Sequence, residues 1–334
     1  MINPEPHWQK RTLVSQLLRP LSWLYCLATK ARRAAYNHGL IPTQELPVPV
    51  IIVGNITVGG TGKTPLVIWL ARYLRSQGWR PGVLTRGYGG NAKNWPQIVW
   101  SNSDPQQVGD ESVLLARRCG CPVMAGPVRW ISGQYLIQTY GCNILVCDDG
   151  LQHYALHRDF EIAVIDGTKR FGNKLCLPAG PLRELPQRLR DCNLVLTNGT
   201  AQPGEFNMQI QILQAVNLKN PQLTKPISEF SSENTIAMAG IGNPQRFFDT
   251  LQAQGIKPKR TLTFPDHHNY TTDDLPKAIT RVVLMTEKDA VKCERLLTIP
   301  ISDNYWYVPI HVLPDLAVTT KLEQWLTTQA SGNK

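Results

Sequence analysis

The 334-residue chain contains no run of 18 consecutive apolar residues, so nothing in it reads as a membrane-spanning helix. Its eight cysteines include no C-x-x-C pair, which argues against zinc ribbons and thioredoxin-like redox motifs. Several of them stand in apolar runs such as "NILVCDD" and read as buried reduced thiols, the state that a reducing compartment maintains. Internal repeats and low-complexity tracts are missing, so neither a solenoid nor a biased disordered tail is expected. The N-terminal stretch "RTLVSQLLRPLSWLYCLATKARRAAY" is interrupted by Gln16, Arg19, Pro20 and Ser22 and lacks a small-residue cleavage site, so a secretory leader is not expected. Acids are also short. Asp and Glu number 25 against 35 Lys and Arg, a net charge of +10, and such an excess favours anionic partners: nucleic acid, phosphorylated small molecules or an anionic membrane surface.

What is present suits a globular chain. Hydrophobic residues make up 42% and charged residues 18%, enough to bury real cores, and the length suggests two domains. Half of the net charge lies in residues 1–40, where Lys10, Arg11, Arg19, Lys30, Arg32 and Arg33 face one acid, Glu5. From Pro20, a favourable first helical position, Leu21, Leu24, Ala28, Ala31 and Ala35 fall at helical spacing. Such a helix either lies in a membrane interface or packs on its own domain, and the pattern leaves both open.

Downstream, short apolar strands alternate with helical patterns. "PVPVIIVGN", "RPGVLT", "CNILVCDD", "FEIAVIDG" and "DCNLVLTNG" read as buried strands, and "TPLVIWLARYLRSQGW" and "GDESVLLARRCG" read as helices. That alternation predicts a parallel α/β sheet, with ligands at the C-terminal ends of its strands. The segment 205–228 reads as a linker with a β-ribbon or edge strand. A smaller α/β unit is expected from 229 to 334, with "RVVLMTEKDAVK" as a strand and turn.

Between the first strand and the helix after it stands "TVGGTGKT", Thr57, Val58, Gly59, Gly60, Thr61, Gly62, Lys63 and Thr64. A phosphate needs backbone N–H groups converging on it, and glycines let the chain curl tightly enough to supply them; the helix N-terminus adds its dipole. Lys63 is placed to reach the β- and γ-phosphates of ATP, and Thr64 to ligate Mg²⁺. The full pattern asks for glycine at 57, where Thr57 stands. Asp148 and Asp149 end the "NILVC" strand, where a carboxylate would face that Mg²⁺; which of the two leads is open. Asp110 and Glu111 open a helix, and on pattern alone they complement its dipole. His267 and His268 in "FPDHHNY" suit a surface, metal-binding or general-base role.

"VGNITVGGTGKTP", "TRGYGG", "GDE", "GPVR", "DDGLQH", "GPLRE" and "FPDHH" follow one another in this order, and the ordered set resembles the tetraacyldisaccharide 4'-kinase (lipid A 4'-kinase) family over nearly the whole chain. Thr57 fits, since that family's loop commonly starts with Ser or Thr. The resemblance implies a P-loop NTPase-type parallel-sheet domain with a second, smaller α/β domain and an N-terminal amphipathic helix. It divides the chain into a basic membrane-contact helix (1–40) on the first domain, a P-loop kinase core (41–204), the linker (205–228) and the smaller domain (229–334). It implies transfer of the γ-phosphoryl of ATP, with Mg²⁺, to the 4'-hydroxyl of a tetraacyldisaccharide 1-phosphate, a lipid A precursor. The protein is then a monotopic monomer at the cytoplasmic face of the bacterial inner membrane, with no nucleic-acid partner.

Residue by residue, Asp110 matches the family's catalytic base and His267 its partner, with His268 the alternative. Glu111 tunes the base or helps hold metal. Asp148 and Asp149 match the Mg²⁺-binding acids. Arg129, Gln152, His153, Arg183 and Glu184 match site-lining positions on phosphate or sugar, and Arg86 and Tyr88 contact the disaccharide. Two rival classes remain at this stage. A membrane-positioning P-loop ATPase usually carries a lysine just before the glycine pair, where this chain has Val58. A nucleic-acid-binding ATPase would array its basic residues with stacking aromatics, whereas here they concentrate among Leu and Trp at the N-terminus.

Overall fold

The structure, a computed structural model, describes residues 5–276, 281–296 and 303–332. Two sheets organise it. The larger has nine strands, in the order His311–Pro314, Phe206–Gln211, Leu194–Asn198, Phe160–Asp166, Val50–Gly54, Ile144–Asp148, Pro81–Thr85, Val123–Ala125, Gln97–Val99. Its inner seven strands run parallel, and the two edge strands run antiparallel to their neighbours. The Val50–Gly54, Ile144–Asp148 and Phe160–Asp166 strands are buried along their whole lengths, which explains why they read as continuous apolar runs rather than as alternation.

The helix after the glycine turn, Lys63–Ser76, buries Leu66, Leu70 and Leu74 against this sheet. The smaller sheet has six strands, in the order Thr224–Pro226, Gln214–Asn217, Tyr305–Val308, Val282–Thr286, Thr235–Ala239, Arg260–Thr263. Four of these run parallel, and Gln214–Asn217 and Thr224–Pro226 add an antiparallel pair. A mixed α/β fold with a P-loop-type parallel sheet and a smaller α/β unit is what the sequence predicted.

The junction between the units departs from expectation. The 205–228 stretch, expected as a linker with a β-ribbon or edge strand, is built into both sheets: Phe206–Gln211 extends the large sheet beside Leu194–Asn198, and Gln214–Asn217 and Thr224–Pro226 form an antiparallel pair at the edge of the small one. The chain also returns. After Tyr305–Val308 in the small sheet, His311–Pro314 pairs with Phe206–Gln211, and the Leu316–Gly332 helix places Val318, Leu322 and Leu326 in the core of the large unit. Trp325 of that helix packs 4.8 Å from the Phe160 ring. The residues past 310 that were expected in the smaller unit therefore complete the first, because their apolar stripe finds its cover there. Two strand-to-strand crossings a few residues long join the units, a tighter connection than a free linker.

The N-terminal segment forms helices at Glu5–Gln9, Leu13–Leu17 and Arg19–Asn37. The longest docks through its polar and aromatic side. The Ser22 hydroxyl donates to the Cys176 carbonyl at 2.7 Å, Tyr25 and Cys26 pack on the second core of the large unit, and Arg33 pairs with Asp191 at 2.6 Å. The side predicted from spacing points outward: Leu21, Leu24, Ala28 and Ala31 are exposed and Ala35 is half-buried, and Leu13, Leu17, Trp23 and Leu27 are exposed as well. No described helix is long and apolar enough to cross a membrane.

Candidate active site

A cleft of about 1340 Å³ opens between the two units, larger than the ~300–1,000 Å³ of most small-molecule pockets. Its floor is the glycine turn. Gly59 and Gly62 sit at φ 111° and 101°, backbone states that glycine adopts without strain. The first part of the turn is tied down: Thr57 bridges Leu182, the Val58 N–H donates to the Pro181 carbonyl at 2.8 Å, and the Arg183 N–H donates to the Ile56 carbonyl at 2.7 Å. Thr57 has negative φ, so the position takes a side chain freely, and the glycine that the general pattern asks for is not needed there. Val58, Gly59, Gly60, Thr61, Gly62, Lys63 and Thr64 all line the cleft. The Asn198 amide, from a neighbouring strand end, donates to the Thr61 carbonyl at 3.3 Å.

Asp148 and Asp149 stand across from the turn and differ in character. Thr64 Oγ1 donates to Asp148 Oδ2 at 3.4 Å, while Asp148 Oδ1 is buried with no hydrogen-bond partner. Burial, then the charges of Glu111 and Asp149, push the Asp148 carboxyl up to about 7. Asp149 lies in the left-handed region at φ 48° and meets Lys63 Nζ at 3.5 Å and Arg183 Nη1 at 3.0 Å. Burial opposes its ionisation, but those two cations hold it below the ordinary carboxylate range. A buried, orphaned carboxylate oxygen next to a threonine hydroxyl is an oxygen donor set suited to a hard divalent cation. No cluster of three metal-ligating side chains occurs among the described residues, and Mg²⁺ needs none, since it completes its octahedron with water and phosphate oxygens.

Behind the opposite wall, Asp110 begins the Asp110–Cys119 helix and is buried; it does not itself line the cleft, whereas Glu111 and His267 do. His267, from the smaller unit and in the left-handed region at φ 58°, places Nδ1 at 3.1 and 3.2 Å from the two Asp110 oxygens. Burial would raise the Asp110 carboxyl. The hydrogen bond to His267 and the charges of Lys288 and Lys292 outweigh it and bring the group down to about 2. The same hydrogen bond raises His267 against burial and the Lys288 charge. His268 turns away, with Nε2 3.2 Å from Asp274 and its ring stacked on Phe264. Tyr88 packs its ring 5.0 Å from His267, and Arg86 joins it on the cleft wall.

The remaining predicted residues divide. Arg129 lines the cleft but is buried and committed to the scaffold: Nη1 donates to the Gly126 carbonyl at 2.8 Å, Nη2 to the Asp148 carbonyl at 3.3 Å, and Nε contacts Cys147. Glu184, expected on phosphate or sugar, is not a cleft-lining residue. Its oxygens accept from Gln152 at 2.9 Å and Tyr154 at 2.6 Å, because the chain after Arg183 turns into the core. Gln152 lines the cleft and also donates to the Asn55 carbonyl at 3.0 Å, so Glu184 braces the turn from behind through Gln152. His153 lines the cleft with a buried, unpartnered Nε2, and burial plus surrounding arginines lower it to about 4. The Glu111 carboxylate is taken by Lys288 at 3.0 Å.

Sequence reasoning missed Lys288 and Lys292. Both sit on the Glu287–Cys293 helix, which was read as a turn; Thr286 as N-cap, accepting from the Asp289 N–H, was the available signal. It also missed Arg118, which reaches across to Glu287 at 2.5 Å and ties this helix to the one that carries Asp110.

A family model described as tetraacyldisaccharide-1-P 4'-kinase matches residues 14–330. The chain belongs to the tetraacyldisaccharide 4'-kinase family. It is 53% identical over 308 residues to the tetraacyldisaccharide 4'-kinase of Nitrosococcus oceani, covering 92% of this chain and 89% of that protein. It is 46% identical over 325 residues to the one of Methylobacillus flagellatus, covering 97% and 95%. The crystal structure of LpxK from Aquifex aeolicus in complex with ATP superposes with a TM-score of 0.80 at 27% identity, covering 95% of this chain and 99% of that one. Membership in this kinase family extends along almost the whole chain, so both walls of the cleft belong to the shared fold.

Proposed function

We propose that this protein is an ATP-dependent kinase that transfers the γ-phosphoryl group to the 4'-hydroxyl of a tetraacyldisaccharide 1-phosphate in lipid A biosynthesis. The observation that carries this reading is the meeting, in one cleft, of a glycine turn with its lysine on one wall and His267, backed by the buried Asp110, on the other. A phosphoryl transfer needs alignment and neutralised charge more than covalent help. The Gly59–Thr64 backbone cradles the phosphates, and Lys63 and Arg183 bring positive charge to them. The Asp110–His267 pair takes the proton from the acceptor hydroxyl as its oxygen bonds to phosphorus; the β–γ bridging bond breaks, and its electron pair leaves with ADP. Thr64, Asp148 and Asp149 would hold Mg²⁺, which supplies charge neutralisation on the phosphate oxygens when bound. The two units shield the reacting groups from water.

Arg86, Tyr88, Arg129, Gln152 and His153 surround the space left for the disaccharide, with Glu184 behind them. The exposed stripe from Leu13 to Leu27, flanked by the exposed bases Lys10, Arg11, Arg19 and Lys30, suits the surface of an anionic membrane. On this reading the protein is peripheral at the cytoplasmic leaflet of the inner membrane and acts as a monomer, since one chain supplies both walls. The test is transfer of ³²P from [γ-³²P]ATP to the acceptor in detergent micelles with Mg²⁺, read on a thin-layer plate. Labelled lipid that depends on Lys63 is the expected result. Free phosphate alone, with acceptor shown to bind, would leave a membrane-positioning ATPase.

A further inference from the structure

Lys288 and Lys292 lie four residues apart and so project from one face of the Glu287–Cys293 helix. They flank the Asp110–His267 pair from two sides. Lys292 Nζ is 3.5 Å from Asp110 Oδ2 and 3.6 Å from Asp289 Oδ1, over the Tyr270 ring, and the nitrogen is shut off from solvent. Lys288 Nζ sits 3.0 Å from Glu111 Oε1, 3.0 Å from Asp266 Oδ1 and 3.5 Å from His267 Nε2. These contacts join three segments: the start of the Asp110 helix, the loop that carries His267, and the helix of the lysines.

The imidazole of His267 therefore has a different kind of neighbour at each nitrogen. Nδ1 faces a carboxylate. Nε2 faces an ammonium at 3.5 Å and the Asp266 carboxylate at 3.8 Å. An ammonium only donates, so a nitrogen opposite it keeps its lone pair. The carboxylate of Asp266 by itself would favour the reverse, a proton on Nε2. Lys288 decides between them: it bonds to Asp266 directly and stands nearer to the ring nitrogen. Tyr88 packs against the ring at a tilt of 57° and brings no charge of its own.

Resting on the kinase reading above, we infer that Lys288 is a positioning residue that sets His267 in the tautomer with the proton on Nδ1 and the lone pair on Nε2. Lys292 supports it by keeping a buried positive charge under Asp110, so that Asp110 accepts from Nδ1–H. The cleft-facing nitrogen is then ready to receive the proton of the acceptor hydroxyl once that hydroxyl displaces Lys288. With the other tautomer, Nδ1 and Asp110 would present lone pairs to each other, and Nε2 would have no room for a proton.

The test uses the full chain labelled with ¹⁵N-histidine, with the His267 signals assigned by their loss in His267→Gln. Long-range ¹H–¹⁵N correlation reads the tautomer without any turnover. The wild type is expected to show a protonated Nδ1 and a bare Nε2. Lys288→Met is expected to shift His267 toward the other tautomer or a mixture, and to lower kcat about 100-fold, the low end of what a positioned acid–base group supplies. Its KM for ATP should stay within about twofold. Lys288→Arg keeps the charge and should restore the wild-type tautomer and most of kcat. A Lys288→Met spectrum identical to wild type, or an unchanged kcat, overturns the inference. A wild type that makes no labelled lipid overturns the kinase reading instead, while the tautomer is still read directly.

Discussion

The two walls of the cleft are built in different ways. The phosphate-binding wall is contiguous: seven successive residues, Val58 to Thr64, lie between a fully buried strand and the first turn of a helix, and the acids opposite come from the strand that pairs with it. The proton-accepting wall joins residues 157 positions apart, from two units, held by ion pairs such as Arg118–Glu287 and Lys288–Glu111. A contiguous site is fixed once its strand and helix are packed. A site split across an interface depends on how that interface closes. Losses on the first wall should therefore appear in ATP binding, and losses on the second in the chemical step alone.

Lys63→Ala tests the first wall at its centre and carries the largest expected effect. Removing a preorganised charge next to the transferred group should lower kcat/KM on the order of 10³-fold and raise the Kd for ATP as well, measured by transfer assay and calorimetry. Asp110→Asn tests the second wall. It should lower kcat about 10²–10³-fold, within the span that a placed acid–base group supplies, with the Kd for ATP within about twofold. An Asp110 variant that lost ATP binding in parallel with kcat would erase the distinction between the walls.

A pH profile sharpens the comparison further. Hydrogen bonding to Asp110 raises His267 above 6.5, although burial and Lys288 oppose the shift. Protonated, the imidazole has no lone pair to offer, so kcat should fall as the pH drops through that raised value, about tenfold per unit, and level off above it. ATP affinity should not follow the same curve. A flat kcat profile from pH 6 to 8 would remove His267 from the proton path.

Acceptor delivery carries a smaller effect. Leu24→Ser with Leu27→Ser removes two exposed side chains from the outward stripe. Each is worth about 1.5–3 kcal/mol when fully buried, and only part of that is gained at an interface, so binding to anionic vesicles should weaken about tenfold in a flotation assay. Hydrolysis or transfer measured with a soluble, short-chain acceptor should be unchanged. Equal vesicle binding by the double variant would take the stripe out of the membrane reading.

The same contrast explains what was legible in the sequence. The glycine turn, its strand and its helix were readable because every signal lies within one window. Asp148 and Asp149 followed from the rule that ligands gather at strand ends. The pairing of Asp110 with His267 came from the family resemblance, since no local pattern links residues so far apart. Lys288 escaped because a seven-residue helix shows too little periodicity to be seen. Glu184 was misplaced because a charged residue beside Arg183 gives no sign of which way it turns. The strand content of the 205–228 stretch is legible, but not the sheet it joins. Phe206, Met208 and Ile210 alternate with Asn207, Gln209 and Gln211, the period of a strand. Its place in the large sheet depends on the distant His311–Pro314 strand that covers its open edge.

The smallest predicted effect concerns Thr57, the one departure from the general phosphate-loop pattern. Its backbone has negative φ and pairs with Leu182, and its side chain is 7% exposed. Thr57→Gly would restore the general pattern, yet it should gain nothing: the buried side chain is lost and the unfolded chain gains freedom, a cost of about 0.5–1 kcal/mol or somewhat more in thermal unfolding. KM for ATP should move less than about twofold. Gly62→Ala is the contrasting change. There φ is 101°, and an added Cβ would meet the Met208 methyl at 3.1 Å and the Asn198 amide at 3.2 Å, so the turn must shift and ATP binding should weaken about tenfold or more. If Thr57→Gly tightened ATP binding while Gly62→Ala left it alone, the tie to residues 181–183 would not be what shapes this turn, and the phosphate wall would be less self-contained than its sequence suggests.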